Sequence, residues 1–382
     1  MAITANNANN EVIRWRKNVM REYRRGNLFS PYMGEGPTSI IQLVMEPKEG
    51  GDQINIPLIG RLKGPGVSTG PLTGNEEKLD DYGMRAWVDW SRNAVLLKRS
   101  QLRKNSYEQL EIVRPLLTEW GKGNQRDEIV LAFDSLPSES PPANLGNDTV
   151  GGQRVNGVLY SAATTAQKNT YLTANTDRIL FGSATGNTVA GNFASSLANV
   201  DSTNDRLSVA LLLLLKRIAR KADPGITPYM VEDGREFFVT FAGSNAFRDL
   251  AADPVMVAAN RDARAREGSA MDKNPLFQDG DLIYRGVIVR EIPEIDTLAT
   301  KTGVGASSIN VAPVFFCGQN SLAMPWGQTP RPTERKEDDY GMLIGRGVEM
   351  VYGVAKTFKK DTSGNLKQWG MATAYVASID DA

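Results

Sequence analysis

Between Ile54 and Leu97 the sequence writes two alternating stretches around a long tip of glycine, proline and charge. The outgoing stretch sets Ile54, Ile56, Leu58 and Leu62 against Gln53, Asn55, Arg61 and Lys63; the return sets Met84, Ala86, Val88 and Trp90 against Arg85, Trp87, Asp89 and Ser91. Alternation of period two predicts half-buried strands. The turn-rich run from Gly64-Pro-Gly66 to Gly74-Asn75 predicts a projecting tip. Two arms of about twenty residues at ~3.3 Å each would reach on the order of 60 Å. A compact globule of this length has a radius of gyration of roughly 21 Å. An isolated two-stranded ribbon is marginal in water. We therefore expect its apolar face to pack on another molecule, as in an assembly subunit.

The 382 residues allow two or three modest lobes or one large mixed one. Lys plus Arg and Asp plus Glu both total 44, so no net charge draws the chain to nucleic acid or an anionic membrane, although local patches can act. The lone cysteine, Cys317, cannot staple its own chain and fits a reducing, cytosolic setting. The first residues lack the basic-then-apolar order of a secretion signal. The most apolar run, Leu211 to Leu215, is too short to cross a bilayer. No histidine occurs, which removes the commonest general base, metal ligand and pH switch. Carboxylate, lysine or tyrosine chemistry stays open.

Along the chain, Glu11 to Arg25 reads as an amphipathic helix, with Val12, Trp15 and Val19 on one side and six basic residues largely elsewhere. Ser106 to Leu136 has the cadence of one long helix, with Pro115 as a kink or true start. Residues 137 to 203 read as extended loops with short strands. A second lobe begins near Asp205 with a helix capped by Asp201, Ser202 or Thr203. Phe237 to Phe241 predicts a buried strand, and Ser244 to Ala251 and Pro254 to Arg266 predict helices. Leu282–Tyr284 and Val287–Ile292 form a hairpin-like pair. Later strands are expected at Val314–Phe316, Val348–Tyr352 and Met371–Val376, with a polar loop from Gln328 to Asp339. The class is α+β, with helices and strands segregated.

Motifs with chemical meaning are weak. Gly66-Val-Ser-Thr-Gly70 matches a hydrolase nucleophile pattern but lacks a histidine base and sits in a loop tip. Glu76, Glu77, Asp80 and Asp81 form an acidic cluster without calcium-loop spacing. A solvated loop ranks first for it, then pairing with a basic patch on a neighbouring molecule, then a metal. Glu334, Glu337, Asp338 and Asp339 rank the same way. Gly303 to Ser308 reads as a plain turn, not a dinucleotide loop. Trp87 and Trp90 are expected on opposite faces of one strand, packing against neighbours above and below.

Three stretches resemble the tailed-bacteriophage major capsid proteins, in the family typified by the coat protein of the large-virion podovirus of enteric bacteria. They are Gly51 to Gly66 with Leu72 to Asp80; Asn274 to Val289 preceded by Phe237 to Leu250; and Gly318 to Met324 with Asp339-Tyr-Gly341 and Gly353 to Thr357. The first is the most specific. The resemblance implies the capsid fold shared with herpesvirus shells. Its parts would be an N-terminal arm at 1–50, an extended hairpin loop at 51–98, and a peripheral domain at 99–204 with a spine helix near 104–136. An axial domain would follow at 205–310, with a return to the peripheral domain at 311–382. The usual histidine near the end of the return arm is missing here, and residues 137–200 match only in patches.

The expected function is a structural shell protein with no catalytic residues, cofactor or metal. It would assemble as hexamers and pentamers around double-stranded DNA, with scaffold, cement and portal proteins as further partners, no membrane, and assembly in the host bacterial cytoplasm. Arg61, Lys63, Glu76, Glu77, Asp80, Asp81, Trp87 and Trp90 are the expected inter-subunit contacts. Arg14, Trp15, Arg21, Arg24 and Arg25 are the expected arm contacts. The rivals are a nucleic-acid-binding protein led by that basic arm, and a histidine-free hydrolase with paired carboxylates.

Overall fold

The computed structural model describes residues 26–45, 52–102, 104, 109–142, 145–146, 154–232, 234–259, 281–335, 340, 342–361 and 363–381. The expected arm contacts at 14–25 lie outside these residues, as do Lys336 to Asp339.

Two sheets of seven strands carry the molecule. The first has the order β1 (Met33–Gly34), β2 (Ile41–Met45), β13 (Leu322–Arg335), β14 (Leu343–Tyr352) and β5 (Asp89–Lys98); β15 (Val354–Lys356) pairs β13, and β6 (Val155–Asn156) pairs β15. The second has the order β10 (Asp281–Tyr284), β11 (Val287–Glu291), β9 (Arg235–Ala242), β12 (Val311–Cys317), β18 (Met371–Ala377) and β7 (Ile179–Phe181), with β8 (Met230–Glu232) beside β9. The second sheet thus takes strands from both sides of the 205–310 stretch. The expected pair at 282–292 is an antiparallel hairpin, turned by Arg285 and Gly286 with φ of 45° and 79°.

Helix α1 (Gln109–Asp134) is the long helix foreseen, and it runs through Pro115 without a break. Twenty-six residues make it about 39 Å long. Its C-terminal half buries Ile129, Val130 and Phe133 among Phe29, Phe241, Phe315, Met350 and Tyr352, a core shared by both sheets. Ion pairs fasten it to three distant segments: Arg126 to Glu294 at 3.1 Å, Glu128 to Arg154 at 2.6 Å, and Asp134 to Lys301 at 2.6 Å. Burial pushes the Asp134 carboxyl up and the Lys301 ammonium down, so the pair is held by its own attraction against desolvation.

Two expectations are corrected in the 137–203 stretch. It contains α2 (Thr165–Ala174), opened by a Thr164/Gln167 capping box, and α3 (Phe193–Ala198), capped by Asn192. These helices bury Leu172, Phe193 and Leu197 against Phe181 and Tyr375. Next comes α4 (Val209–Lys221), whose cap is Ser208, not the residues at 201–203. Asp201 and Asp205 instead bind loop backbone. The Asp205 carboxylate accepts from the Ser183 amide at 2.7 Å and the Asp201 amide at 2.9 Å. Leu211, Leu212, Leu215 and Ala219 pack α4 on the second sheet, followed by α5 (Ser244–Ala252) with Ala246 and Leu250. Helix α6 (Glu294–Leu298) leads into β12.

The polar loop expected at 328–339 is strand through Arg335. Strand β13 runs on against β14, with register shifts between Trp326 and Arg331. Strand β2 pairs β13 only from Leu322 to Trp326. Beyond that point Pro330 and Pro332 sit on an edge strand, where a proline's missing N–H is tolerated.

A candidate inter-subunit surface

The hairpin is shorter than its sequence promised. Strands β3 (Gln53–Ile59) and β4 (Asp81–Trp87) pair over seven residues, from Gln53–Trp87 to Ile59–Asp81. That ladder is about 24 Å long, and Gly60 to Asp80 form an irregular tip without strand pairing. The apolar face of the ladder packs inside its own chain, which corrects the expectation of an outside partner there. Ile56, Leu58, Met84 and Ala86 meet Ala323, Ala355 and Phe358, with Val44, Leu366 and Trp369 at the edge. Much of that shelf is a small hairpin, β16 (Phe358–Lys360) with β17 (Leu366–Gln368), almost 300 residues away in sequence.

The return stretch is two strands, not one. Val88 belongs to neither ladder; its amide donates to the Asp52 carbonyl at 3.0 Å. At this point the chain leaves the hairpin and enters the first sheet as β5, and the inside–outside phase shifts. Trp87 is therefore buried, while Trp90 stands 52% exposed. Asn156, itself buried, repairs the break. Its Oδ1 accepts from the Trp87 amide at 2.9 Å, and its Nδ2 donates to the Trp87 carbonyl at 3.0 Å. Nothing in the sequence pointed to Asn156.

The predicted charged residues gather at the hairpin's neck, and most have partners within the chain. Lys63 binds Asp223 at 2.7 Å, with Arg61 at 4.0 Å from the same carboxylate. Asp80 pairs with Lys359. Glu77 accepts from the Lys63 amide at 2.5 Å and the Gly64 amide at 2.7 Å, closing the neck; these bonds hold its carboxyl below the usual range. Glu76 accepts from the Gly74 amide at 2.7 Å, and Asp81 lies exposed at the end of β4. Glu139, which sequence reasoning missed, accepts from Lys360 at 2.7 Å and from the Tyr82 hydroxyl at 2.9 Å. Apolar residues of the tip beyond are uncovered: Leu62, Leu72 and Leu79 are each more than half exposed.

A second exposed surface lies on the three-stranded extension β13–β14–β5. Register places Trp90 beside Val351, Arg92 beside Glu349 and Leu96 beside Gly345; Glu349 and Gly345 in turn face Arg331 and Arg335. Gly345 and Gly347 lie where the strands approach closely: a Cβ would come within 3.2 Å of the Arg335 Cβ at the first and 2.8 Å of the Thr333 hydroxyl at the second. The result is a shallow face edged by arginines, with Trp90 and Leu96 exposed on it.

Ser68 of the Gly-x-Ser-x-Gly string is exposed on the tip, with no strand-to-helix elbow. Among the described residues there is no group of three or more His, Cys, Asp or Glu side chains able to hold a metal, and no helix long and apolar enough to cross a membrane.

The family model described as "Phage capsid protein" matches residues 3–379. The chain belongs to this family. As a phage capsid protein it is also similar to solved shells. It is 32% identical to a chain of the cyanophage Pam1 capsid asymmetric unit, covering all of both chains with a TM-score of 0.85. It is similar in fold to the capsid of Ralstonia phage GP4, at 18% identity, TM-score 0.72, and 100% and 99% of the two chains. A third similarity is to the acid-stable capsid of Helicobacter pylori bacteriophage KHP30, at 12% identity, TM-score 0.66, and 98% and 99% coverage. A comparison with curated proteins finds no match. The capsid protein therefore has the tailed-phage capsid fold expected from its sequence, and its role is that of a structural major capsid protein of a phage virion.

Proposed function

We propose that the capsid protein assembles as hexamers and pentamers into an icosahedral shell around double-stranded DNA, and that the hairpin tip is a principal contact between copies. The observation that carries this is the tip itself. Its base is packed and ion-paired within the chain, yet Leu62, Leu72 and Leu79 project uncovered beside Glu76, Asp80 and Asp81. The arginine-edged face of β5, β14 and β13 has the complementary chemistry. In this reading Glu76 and its neighbours meet Arg92 and Arg331 of the adjoining copy while Leu79 lies near Trp90. Residues 99–204 with 311–382 form the peripheral part and 205–310 the axial part. The basic segment at 14–25 makes further contacts, packaged DNA faces the inside, and scaffold, cement or portal proteins join during assembly in the bacterial cytoplasm.

Electron microscopy of the purified chain tests this directly. Wild-type protein should give uniform shells or hexamer sheets. Arg92→Glu, which leaves the tip and its neck untouched, should give only small particles. Normal shells from Arg92→Glu combined with Arg331→Glu would refute the contact, and a strictly monomeric wild type would refute the assembly.

A further inference from the structure

The free sheet edges of the molecule are not alike, and backbone bonds at the strand ends show which groups face outward. The Arg99 amide donates to the Met342 carbonyl at 2.8 Å. The odd-numbered residues of β5 therefore bond β14, and the even-numbered ones turn away from it. By the same alternation Pro332, opposite Val348, faces outward on β13. On β3, the bonds of Gly60 to Asp80 and of Val88 to Asp52 turn Pro57 outward as well. Each of these prolines removes a donor from a free edge and blunts it against a further strand.

The free edge of β5 carries no such guard. Its ten residues include no proline or glycine and keep an unbroken register with β14 from Asp89 to Lys98. Only the entry to the edge is closed: the Trp90 amide donates to the Asp89 carboxylate at 2.7 Å, and the Trp90 carbonyl accepts from Arg154 at 3.2 Å. Beyond it, the outward amides and carbonyls of Arg92, Ala94 and Leu96 have no partner among the described residues, and all three residues are exposed. The free edges of β1, β6, β7, β8 and β10 are two to four residues long. On β4 the outward groups of Trp87 are held by Asn156. Among the described strands, only a second β5 offers an open edge of matching length.

We propose that β5 pairs edge to edge with β5 of a second copy about a twofold axis, joining their first sheets into one. The pairing rests on the assembly reading above, and it uses the edge of β5 while leaving its face to the hairpin tip. An antiparallel pair about such an axis keeps each residue on its own face, so even-numbered residues lie opposite even-numbered ones. Centring it on Ala94 sets Arg92 opposite Leu96 of the second copy and Trp90 opposite Lys98, a cation beside an aromatic ring. About six backbone hydrogen bonds then close on the open groups. A shift of one residue one way sets Arg92 opposite Lys98, two like charges. A shift the other way sets Leu96 against Trp90, whose groups are already bound.

Cysteine cross-linking in assembled shells tests the pairing, because the one native cysteine, Cys317, is wholly buried. Ala94→Cys places a thiol on the axis, where the Cα atoms of a hydrogen-bonded pair lie ~5.5 Å apart, within disulfide reach. Mild oxidation of those shells should give covalent dimers. Lys98→Cys, whose two copies would stand about 26 Å apart, should give about tenfold fewer. Shells without dimers from Ala94→Cys, or with equal dimers from both variants, overturn the edge pairing and leave assembly standing. A wild type that forms no shells overturns the assembly reading, and this pairing with it. Hydrogen exchange reads the same edge without substitution. In wild-type shells the amides of Arg92, Ala94 and Leu96 should exchange about tenfold more slowly than in the free chain. Equal rates overturn the pairing.

Discussion

Two buried side chains set measurable limits at the scale of single residues. Asn156 satisfies both backbone groups of Trp87 where the chain passes between ladders. Asn156→Ala leaves a buried N–H and C=O without partners and should cost about 2–4 kcal/mol in denaturant unfolding. Lys356 is wholly buried, donating to the Ser135 carbonyl at 2.6 Å, and burial brings its ammonium down to about 7. A lysine whose folded pKa lies below its unfolded value binds fewer protons when folded. Stability therefore rises with pH between about 7 and 10, by on the order of 5 kcal/mol from this group alone. Lys356→Met should flatten that rise in unfolding curves measured from pH 7 to 10; an unchanged slope would place its origin elsewhere.

Among elements, the hairpin base has the opposite pH dependence. Lys63 lowers the Asp223 carboxyl, and Lys360 followed by Tyr82 lowers that of Glu139. Depressed carboxylates stabilise above their unfolded pKa and lose that contribution as pH falls through the folded value. The base should hold above about pH 5 and loosen below about pH 4. Hydrogen exchange of β3 and β4, corrected for intrinsic rates, should accelerate at pH 4 relative to pH 7, and Asp223→Asn should show part of that loosening at pH 7. Much of the element list was legible because periodicity is local: Leu110, Val113, Leu117 and Trp120 marked α1, and the alternation of β3 and β4 gave their inner faces. What escaped depends on distant chain. Val88 continues the alternation in sequence yet changes sheets, and the shelf under the hairpin comes from residues 358–369. Prolines at 330 and 332 disguised β13 because sequence does not say which strand is an edge. The capping box at Thr164 and Gln167 was readable and would have recovered α2.

For the whole molecule, the family was legible because Gly51 to Asp80 is a long, specific string, whereas the surroundings of the expected contact residues were not. Charge at the neck was visible in the sequence, but Asp223, Glu139 and Lys359, which bind it within the chain, were not. This division predicts unequal effects in the acidic cluster. Reversing Glu77 releases the Lys63 and Gly64 amides and should disorder the tip in the free subunit, seen as faster proteolysis at 60–80. Reversing Glu76 releases only the Gly74 amide two residues away, so it should leave the neck closed and act chiefly on assembly. Combining Glu76→Lys with Arg92→Glu should restore shells that either change prevents, as scored by electron microscopy. The junction at Val88 carries a mechanical consequence as well. One residue separates the hairpin from the ten-residue register of β5 with β14. A tug on the tip therefore travels through taut backbone into the central sheet, with no slack linker to absorb it, and a lattice knitted from such tips would share tension from sheet to sheet.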